Sequence, residues 1–188
     1  PVIQRADERA LAQGVDIFKV FELVRKIRNN VEVPMVFLLY YNVMVQYGIE
    51  KFFKCCQETG VDGLIIPDLP YEESDEIKEY TEKYGVYQIS LVSPTSKDRI
   101  KNIAKDAKGF LYCISSLGVT GEKSSFVTNF DEFVGTIKKY TDVPACVGFG
   151  VSNGRQVKEL TKYFDGAIVG SAIVKSIATG ESVEERIN

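Results

Sequence analysis

An α/β fold built on a parallel β-sheet is predicted from three features of this 188-residue sequence. Apolar, strand-like runs alternate with amphipathic helical stretches along the whole length. The runs are continuously apolar rather than alternating, as expected of strands buried on both faces. Successive runs follow one another at roughly the ~30-residue spacing of a βαβ unit. No linker, low-complexity segment or shift in composition interrupts the series, so residues 1–188 are read as a single domain.

The chain opens with "PVIQRADERALAQG", an amphipathic helix. Ile17, Val20, Phe21 and Val24 then mark a second helix. The first strand is "VPMVFLLYY" from Val33, and its helix "GIEKFFKCCQETG" carries Ile49, Phe52, Phe53 and Cys56 on one face. The second strand is "VDGLIIPD", with a helix starting near Glu72. "VYQISLVS" is the third strand; its helix is capped at Ser96 and carries Ile100, Ile103, Ala104 and Ala107. "GFLYCIS" is the fourth. A long loop, "SLGVTGEKSSFVTN", leads from it to a helix with Phe130, Phe133, Val134 and Ile137, opened by a capping box from Thr128 to Asp131. The fifth strand is "VPACVGFG", followed by a helix with Val157, Leu160 and Phe164. The sixth is "DGAIVGS", followed by a short helix.

Composition narrows the function classes. The net charge is −3 and the pI about 5.2, which gives no electrostatic footprint for nucleic acid or an anionic membrane. No apolar run approaches membrane-spanning length. The four cysteines, Cys55, Cys56, Cys113 and Cys146, form no C-x-x-C pair, and there is no histidine to complete a zinc site. They read as buried free thiols of a reducing cytoplasm, two on a helix and two in strands. The lack of histidine also removes the usual general base, so acid–base chemistry falls to Asp, Glu, Tyr, Lys or Cys.

In α/β folds ligands bind at the C-terminal ends of the strands. Here the last two ends are the informative ones. "VGFGVSN" places Gly148 and Gly150 at the end of the fifth strand, and "IVGSAIV" places Gly170 and Ser171 where a short helix begins. Glycines let backbone N–H groups approach an oxyanion, and a helix N-terminus adds oriented donors. Together they form a candidate phosphate cradle. Asn153 stands where a dinucleotide fingerprint needs glycine, which argues against an open nucleotide-binding sheet. A cradle after the last two strands is a feature of the (β/α)8 barrel. The six strands are then barrel strands 3–8, with strands 1–2 missing from this chain; barrels typically need ~250 residues. The long loop, with Gly118 and Gly121, is a candidate lid.

The motifs "GVDGLIIPDLPYEES", "FLYCISSLGVTGE", "VGFGVSN" and "VGSAIV" resemble the α subunit of tryptophan synthase, and the likeness runs in order through the whole chain. "PVIQRADERALAQG" is similar to the stretch just after that family's D-P-x-A-D-G-P motif. The resemblance implies a (β/α)8 TIM barrel that cleaves indole-3-glycerol phosphate by a retro-aldol reaction into indole and glyceraldehyde 3-phosphate. It implies a cytoplasmic α2β2 heterotetramer, in which indole passes to a β subunit that holds PLP. It implies no cofactor or metal in the α subunit itself.

Carried over by motif, the phosphate contacts fall on Gly121, Phe149, Gly150, Gly170 and Ser171. Thr120 matches the lid threonine, and Tyr112 an active-site tyrosine near the indole. Leu38 and Ile65 match indole-pocket positions; Tyr40, Asn42, Asp68 and Pro70 lie in segments that face the β subunit. Pro67 departs from the pattern, in an interface loop where a smaller residue is expected. The family's catalytic Glu and Asp lie upstream of the stretch matched at Pro1. The polypeptide as given is therefore expected to lack lyase activity, and the natural protein is expected to be longer. Two alternatives stand beside this one: another phosphate-binding barrel isomerase, or a non-catalytic barrel fragment that binds and modulates a β-type partner.

Overall fold

In a computed structural model of the protein, the described residues are 2–96, 98–114, 129–148 and 150–180. Two compact units emerge from the chain's contacts. One comprises Val15–Leu91 and Asp106–Leu111; the other comprises the described residues of 1–14, Val92–Lys105 and 112–180.

The first unit begins with α2 (Ile17–Arg28), which follows α1 (Val2–Ala12) in the chain. Asp16 caps α2 by accepting from the Lys19 N–H at 2.9 Å. Three strands follow, β1 (Val36–Leu38), β2 (Gly63–Ile65) and β3 (Tyr87–Gln88), paired in parallel in that order. The connections are helical: α3 (Tyr41–Tyr47) and α4 (Ile49–Thr59) after β1, then a 3-10 turn (Tyr71–Glu73) and α5 (Asp75–Tyr84) after β2. Apolar spacing along α4 turns Phe52, Phe53 and Cys56 inward, where all three are fully buried. Phe21 of α2 meets Phe52 edge-on at 5.3 Å between ring centres, and Phe37 of β1 at 5.5 Å. Met44, Leu64, Ile66, Ile77 and Val86 complete this core.

The second sheet has four strands in the order β4 (Leu91–Val92), β5 (Leu111–Ile114), β6 (Ala145–Gly148) and β7 (Gly166–Ala167). β6 and β7 pair in parallel. The helices of this part are α6 (Ile100–Asp106), α7 (Phe130–Lys138), α8 (Gly154–Leu160) and α9 (Ser171–Thr179). Phe133 and Ile137 of α7 are buried, and Phe130 and Phe133 pack on Phe164 at 5.4 and 6.4 Å. α1 packs against α9, and neither helix buries a side chain.

The strand–helix series matches the sequence expectation, with three differences. The run "VYQISLVS" is two strands, β3 and β4. The Ile89 N–H still reaches the Leu64 carbonyl at 2.8 Å, after which the chain joins the other sheet. α3 was not expected at all; Tyr41 begins a helix rather than ending a strand. The cap of α7 is Asn129, whose Oδ1 accepts from the Glu132 N–H at 3.3 Å; Thr128 lies outside the described residues.

One device closes the N-terminal ends of two strand pairs. Arg28, in the last turn of α2, donates from Nε to the Gly60 carbonyl at 2.8 Å and from Nη1 to the Val33 carbonyl at 2.6 Å. Its Nη2 pairs with Asp62. The Asp62 carboxylate also accepts the Met35 N–H at 2.7 Å, while the Asp62 N–H donates to the Met35 carbonyl at 2.8 Å. In the other unit, Lys138, in the last turn of α7, pairs with Asp165 at 2.6 Å and reaches the Val143 carbonyl at 3.4 Å. Asp165 accepts the Ala145 N–H at 2.7 Å and donates its own N–H to the Ala145 carbonyl at 3.0 Å. The sequence carries the same repeat. "VPMVFLLY" aligns with "VPACVGFG", each five residues after its cation, and "VDGLIIPD" aligns with "FDGAIVGS".

Arg28 is the more buried of the two cations, 19% exposed against 36% for Lys138. Desolvation and a fork that meets the carbonyls of Gly60, Val33 and Val31 make it the stronger clamp. Arg28→Ala is expected to destabilise the fold by about 2–3 kcal/mol, and Arg28→Lys by about half as much, measured by urea unfolding. A loss under ~0.5 kcal/mol for Arg28→Ala would contradict the clamp.

The bond from Lys138, helped by the Ala145 N–H, holds the Asp165 carboxyl below its ordinary value of 3.8. Its native pKa is thus lower than its unfolded one. The stabilisation is fully present above the unfolded value and is lost as pH falls through the native one. The stability gap between wild type and Asp165→Asn should be constant near neutrality and shrink below pH ~4. A gap that stays constant into strong acid would contradict this.

Candidate functional site

The strands of each unit end in a rim of polar and glycine residues. In the first unit, β1 and β2 end together: Leu38 and Ile65 are register partners, and the Leu39 N–H reaches the Ile65 carbonyl at 3.1 Å. Leu38 is 64% exposed, whereas Ile65 is buried. Tyr40 then adopts an extended conformation and starts α3 without a side-chain cap of its own. Its place is taken by Asp68, which accepts the Tyr41 N–H with Oδ1 at 2.9 Å and Oδ2 at 3.2 Å. Tyr41 Oη donates to Glu76 at 2.7 Å; desolvation, then this bond, push its pKa up to about 12. Tyr40, Asn42 and Pro70 are exposed beside these bonds. Pro70 starts the 3-10 turn, its carbonyl accepting the Glu73 N–H at 2.9 Å.

In the second unit, β5 presents Tyr112, half-buried, its hydroxyl pKa raised by desolvation. The hydroxyl end of its side chain comes close to the backbone of Gly148 at the end of β6. A methyl on Gly148 would overlap Tyr112 Oη and Cζ and sit 2.7 Å from Cε1. Gly148 is therefore required by close approach. Gly150 is required by conformation, with φ +82°. Beyond it, Ser152 donates its N–H and hydroxyl to Gln156 Oε1 at 2.8 and 2.9 Å, and Asn153 Oδ1 caps α8 by accepting the Gln156 N–H at 3.0 Å.

α9 begins at Ser171, with Gly170 in the cap position. Glycine has no side chain with which to cap, and among the described residues no side chain caps the first turn of α9, an arrangement suited to an anion. Both residues are exposed. Gly150, Gly170 and Ser171 thus present glycine backbone, a helix N-terminus and a hydroxyl, the chemistry of a phosphate cradle. Thr120, Gly121 and Phe149 lie outside the described residues.

None of the four cysteines is in a disulfide. Burial pushes the Cys113 thiol up to about 12 and raises the Cys56 thiol further, so neither is a nucleophile at neutral pH. Among the described residues no group of His, Cys, Asp or Glu side chains converges on a metal site.

Three functional elements escaped the sequence. The Tyr112–Gly148 approach depends on strand pairing, which no single segment encodes. The capping role of Asp68 joins residues 27 apart. The paired clamps were signalled by the repeated V-P and D-G dipeptides ahead of the strands.

The model of the tryptophan synthase alpha chain family matches residues 1–188. The tryptophan synthase alpha chain of Alkaliphilus metalliredigens is 48% identical over 180 residues, which cover 96% of this chain and 68% of that protein. That of Thermoanaerobacter sp. is 47% identical over 187 residues, covering 100% of this chain and 71% of that protein. Among solved structures, tryptophan synthase subunit alpha from Campylobacter jejuni superposes with a TM-score of 0.91 at 41% identity, covering 100% of this chain and 75% of that one. A tryptophan synthase from M. tuberculosis gives 0.84 at 31% identity, covering 100% and 71%.

Replacing Gly148 by alanine should force the Tyr112 ring off its seat and destabilise the fold by about 1–3 kcal/mol. Combining it with Tyr112→Ala should recover most of that loss in a double-mutant cycle. Additive losses in thermal unfolding would show that the two positions are independent.

Proposed function

The chain belongs to the tryptophan synthase alpha chain family, and from that membership we propose how its residues divide the family's reaction among them. Alpha chains are (β/α)8 barrels that cleave indole-3-glycerol phosphate into indole and glyceraldehyde 3-phosphate and pass the indole to the β subunit with which they assemble. In this chain Gly150, Gly170 and Ser171, with Gly121 and Phe149, hold the substrate phosphate. The uncapped start of α9 is the observation that carries this assignment. A phosphate dianion there accepts from first-turn N–H groups and the Ser171 hydroxyl, stabilised by the helix dipole without a lysine or arginine.

The phosphate anchors one end of the substrate, and Leu38, Ile65 and Tyr112 receive the indole at the other. Apolar Leu38 and Ile65 favour the ring, and Tyr112 is a half-buried phenol. Thr120 belongs to the lid. Tyr40, Asn42, Asp68 and Pro70 face the β subunit. No cofactor is required of this chain, since the roles its residues take are anion binding and ring binding. PLP belongs to the β subunit. We place the protein in the cytoplasm, in keeping with four largely buried cysteines, none in a disulfide. Among the described residues no helix is long and apolar enough to cross a membrane. Residues 1–188 belong to one barrel domain, in keeping with a strand–helix series that runs without a linker.

Carbon–carbon cleavage also needs a proton delivered to the indole C3, another removed from the glycerol hydroxyl, and support for the indole N–H as charge develops. Two carboxylates suit this in a site without histidine. Among the described residues Asp68 is the sole acid at a strand end, and its oxygens are engaged by the Tyr41 N–H. The 188-residue polypeptide by itself therefore does not turn the substrate over. Indole release at the rate of an intact α subunit would overturn this, with intact mass confirming the chain tested. For the cradle, Gly170→Asp puts a carboxylate where the phosphate sits. It should weaken binding of a glycerol-phosphate analogue by about 100-fold or more in calorimetry. Unchanged affinity would reject the cradle.

A further inference from the structure

Asp68 is exposed, yet both of its oxygens turn inward onto the Tyr41 N–H. The bond keeps the strand register. Val36, Phe37 and Leu38 pair with Gly63, Leu64 and Ile65, an offset of 27, and Tyr41 and Asp68 hold the same offset three residues past the sheet. The ladder between backbones ends at the pocket pair Leu38 and Ile65, and a side chain continues it across the rim. Tyr41 is also tied on its far side, through its hydroxyl, to Glu76 of α5. The first turn of α3 is thereby fixed between the loop after β2 and α5. That turn carries Tyr40 and Asn42, and the loop after β2 carries Pro70.

We propose that Asp68 is a positioning residue for the partner interface, acting through the Tyr41 N–H to hold Tyr40, Asn42 and Pro70 in one arrangement rather than touching the β subunit with its charge. The proposal rests on the reading that these three residues face that subunit. A carboxylate accepting a helix-terminal N–H suits this task, because the donor would otherwise be an orphan of the first turn. Charge assistance makes such a bond stronger than a neutral one.

The test is the affinity for the cognate β subunit, measured by calorimetry on the protein at its natural length. Urea unfolding of each variant confirms that it is folded. Asp68→Ala should weaken binding about tenfold. Asp68→Asn keeps an acceptor oxygen and should stay within about threefold of wild type. Tyr41→Pro deletes the donor at a first-turn position that tolerates proline, after a Tyr40 already extended (φ −80°, ψ 147°). It should weaken binding more than Tyr41→Ala in the wild-type background, and no more than Tyr41→Ala when Asp68 is alanine.

Equal, salt-sensitive losses for Asp68→Asn and Asp68→Ala would mean a direct charge contact and would overturn the proposal. So would an unchanged affinity with a lowered unfolding midpoint, which reduces Asp68 to a fold stabiliser. If Tyr40→Ala and Asn42→Ala both bind as wild type, the interface reading itself fails, a result distinct from either of these.

Discussion

The rest of the structure depends on the bond between an aspartate at the start of one strand and the backbone at the start of the strand before it. Asp62 with Met35, and Asp165 with Ala145, make this bond in both directions, N–H to carboxylate and N–H to carbonyl. A cation from the preceding helix, Arg28 or Lys138, locks each aspartate. Parallel strands have no hairpin to set their register, and a slip by one residue would exchange the side chains of the two faces. Here an ion pair sets it at the end remote from the rim. With one end fixed, the other is free to carry chemistry, and the two copies of the device carry different chemistries. Above Asp165 the rim is glycine, serine and a helix start. Above Asp62 it is aromatic residues, a proline and an internal carboxylate.

Much of this was legible in the sequence. Continuous apolar runs fixed the parallel strands, and helical spacing placed Phe52, Phe53 and Cys56 in the core, because burial on both faces leaves a one-dimensional trace. The strand-end glycines were legible for a local reason too: Gly150 has φ +82° and Gly170 stands directly before α9, positions that glycine suits. Other features were opaque because their causes lie elsewhere in the chain. α3 is capped by Asp68 and seated by Met44. "LLYYNVMVQYG" in isolation reads as strand and turn. The run "VYQISLVS" is uniformly strand-like, and only its neighbours decide where it divides.

The proposed phosphate cradle relies on groups that carry no formal charge. First-turn N–H groups and a hydroxyl hold an anion with directional bonds and leave the local field weakly positive. This suits a phosphate that serves as a handle. A strongly cationic pocket would pull on the carboxylates that proton transfer requires and depress their pKa values.

The seat of Tyr112 on Gly148 has a meaning for descent as well as for packing. The phenol fills the volume that any side chain at 148 would need. A lineage can enlarge residue 148 only after, or together with, a reduction at residue 112. Two positions 36 apart in sequence thus form a single unit of inheritance, and along a phylogeny their sizes should vary in opposite directions.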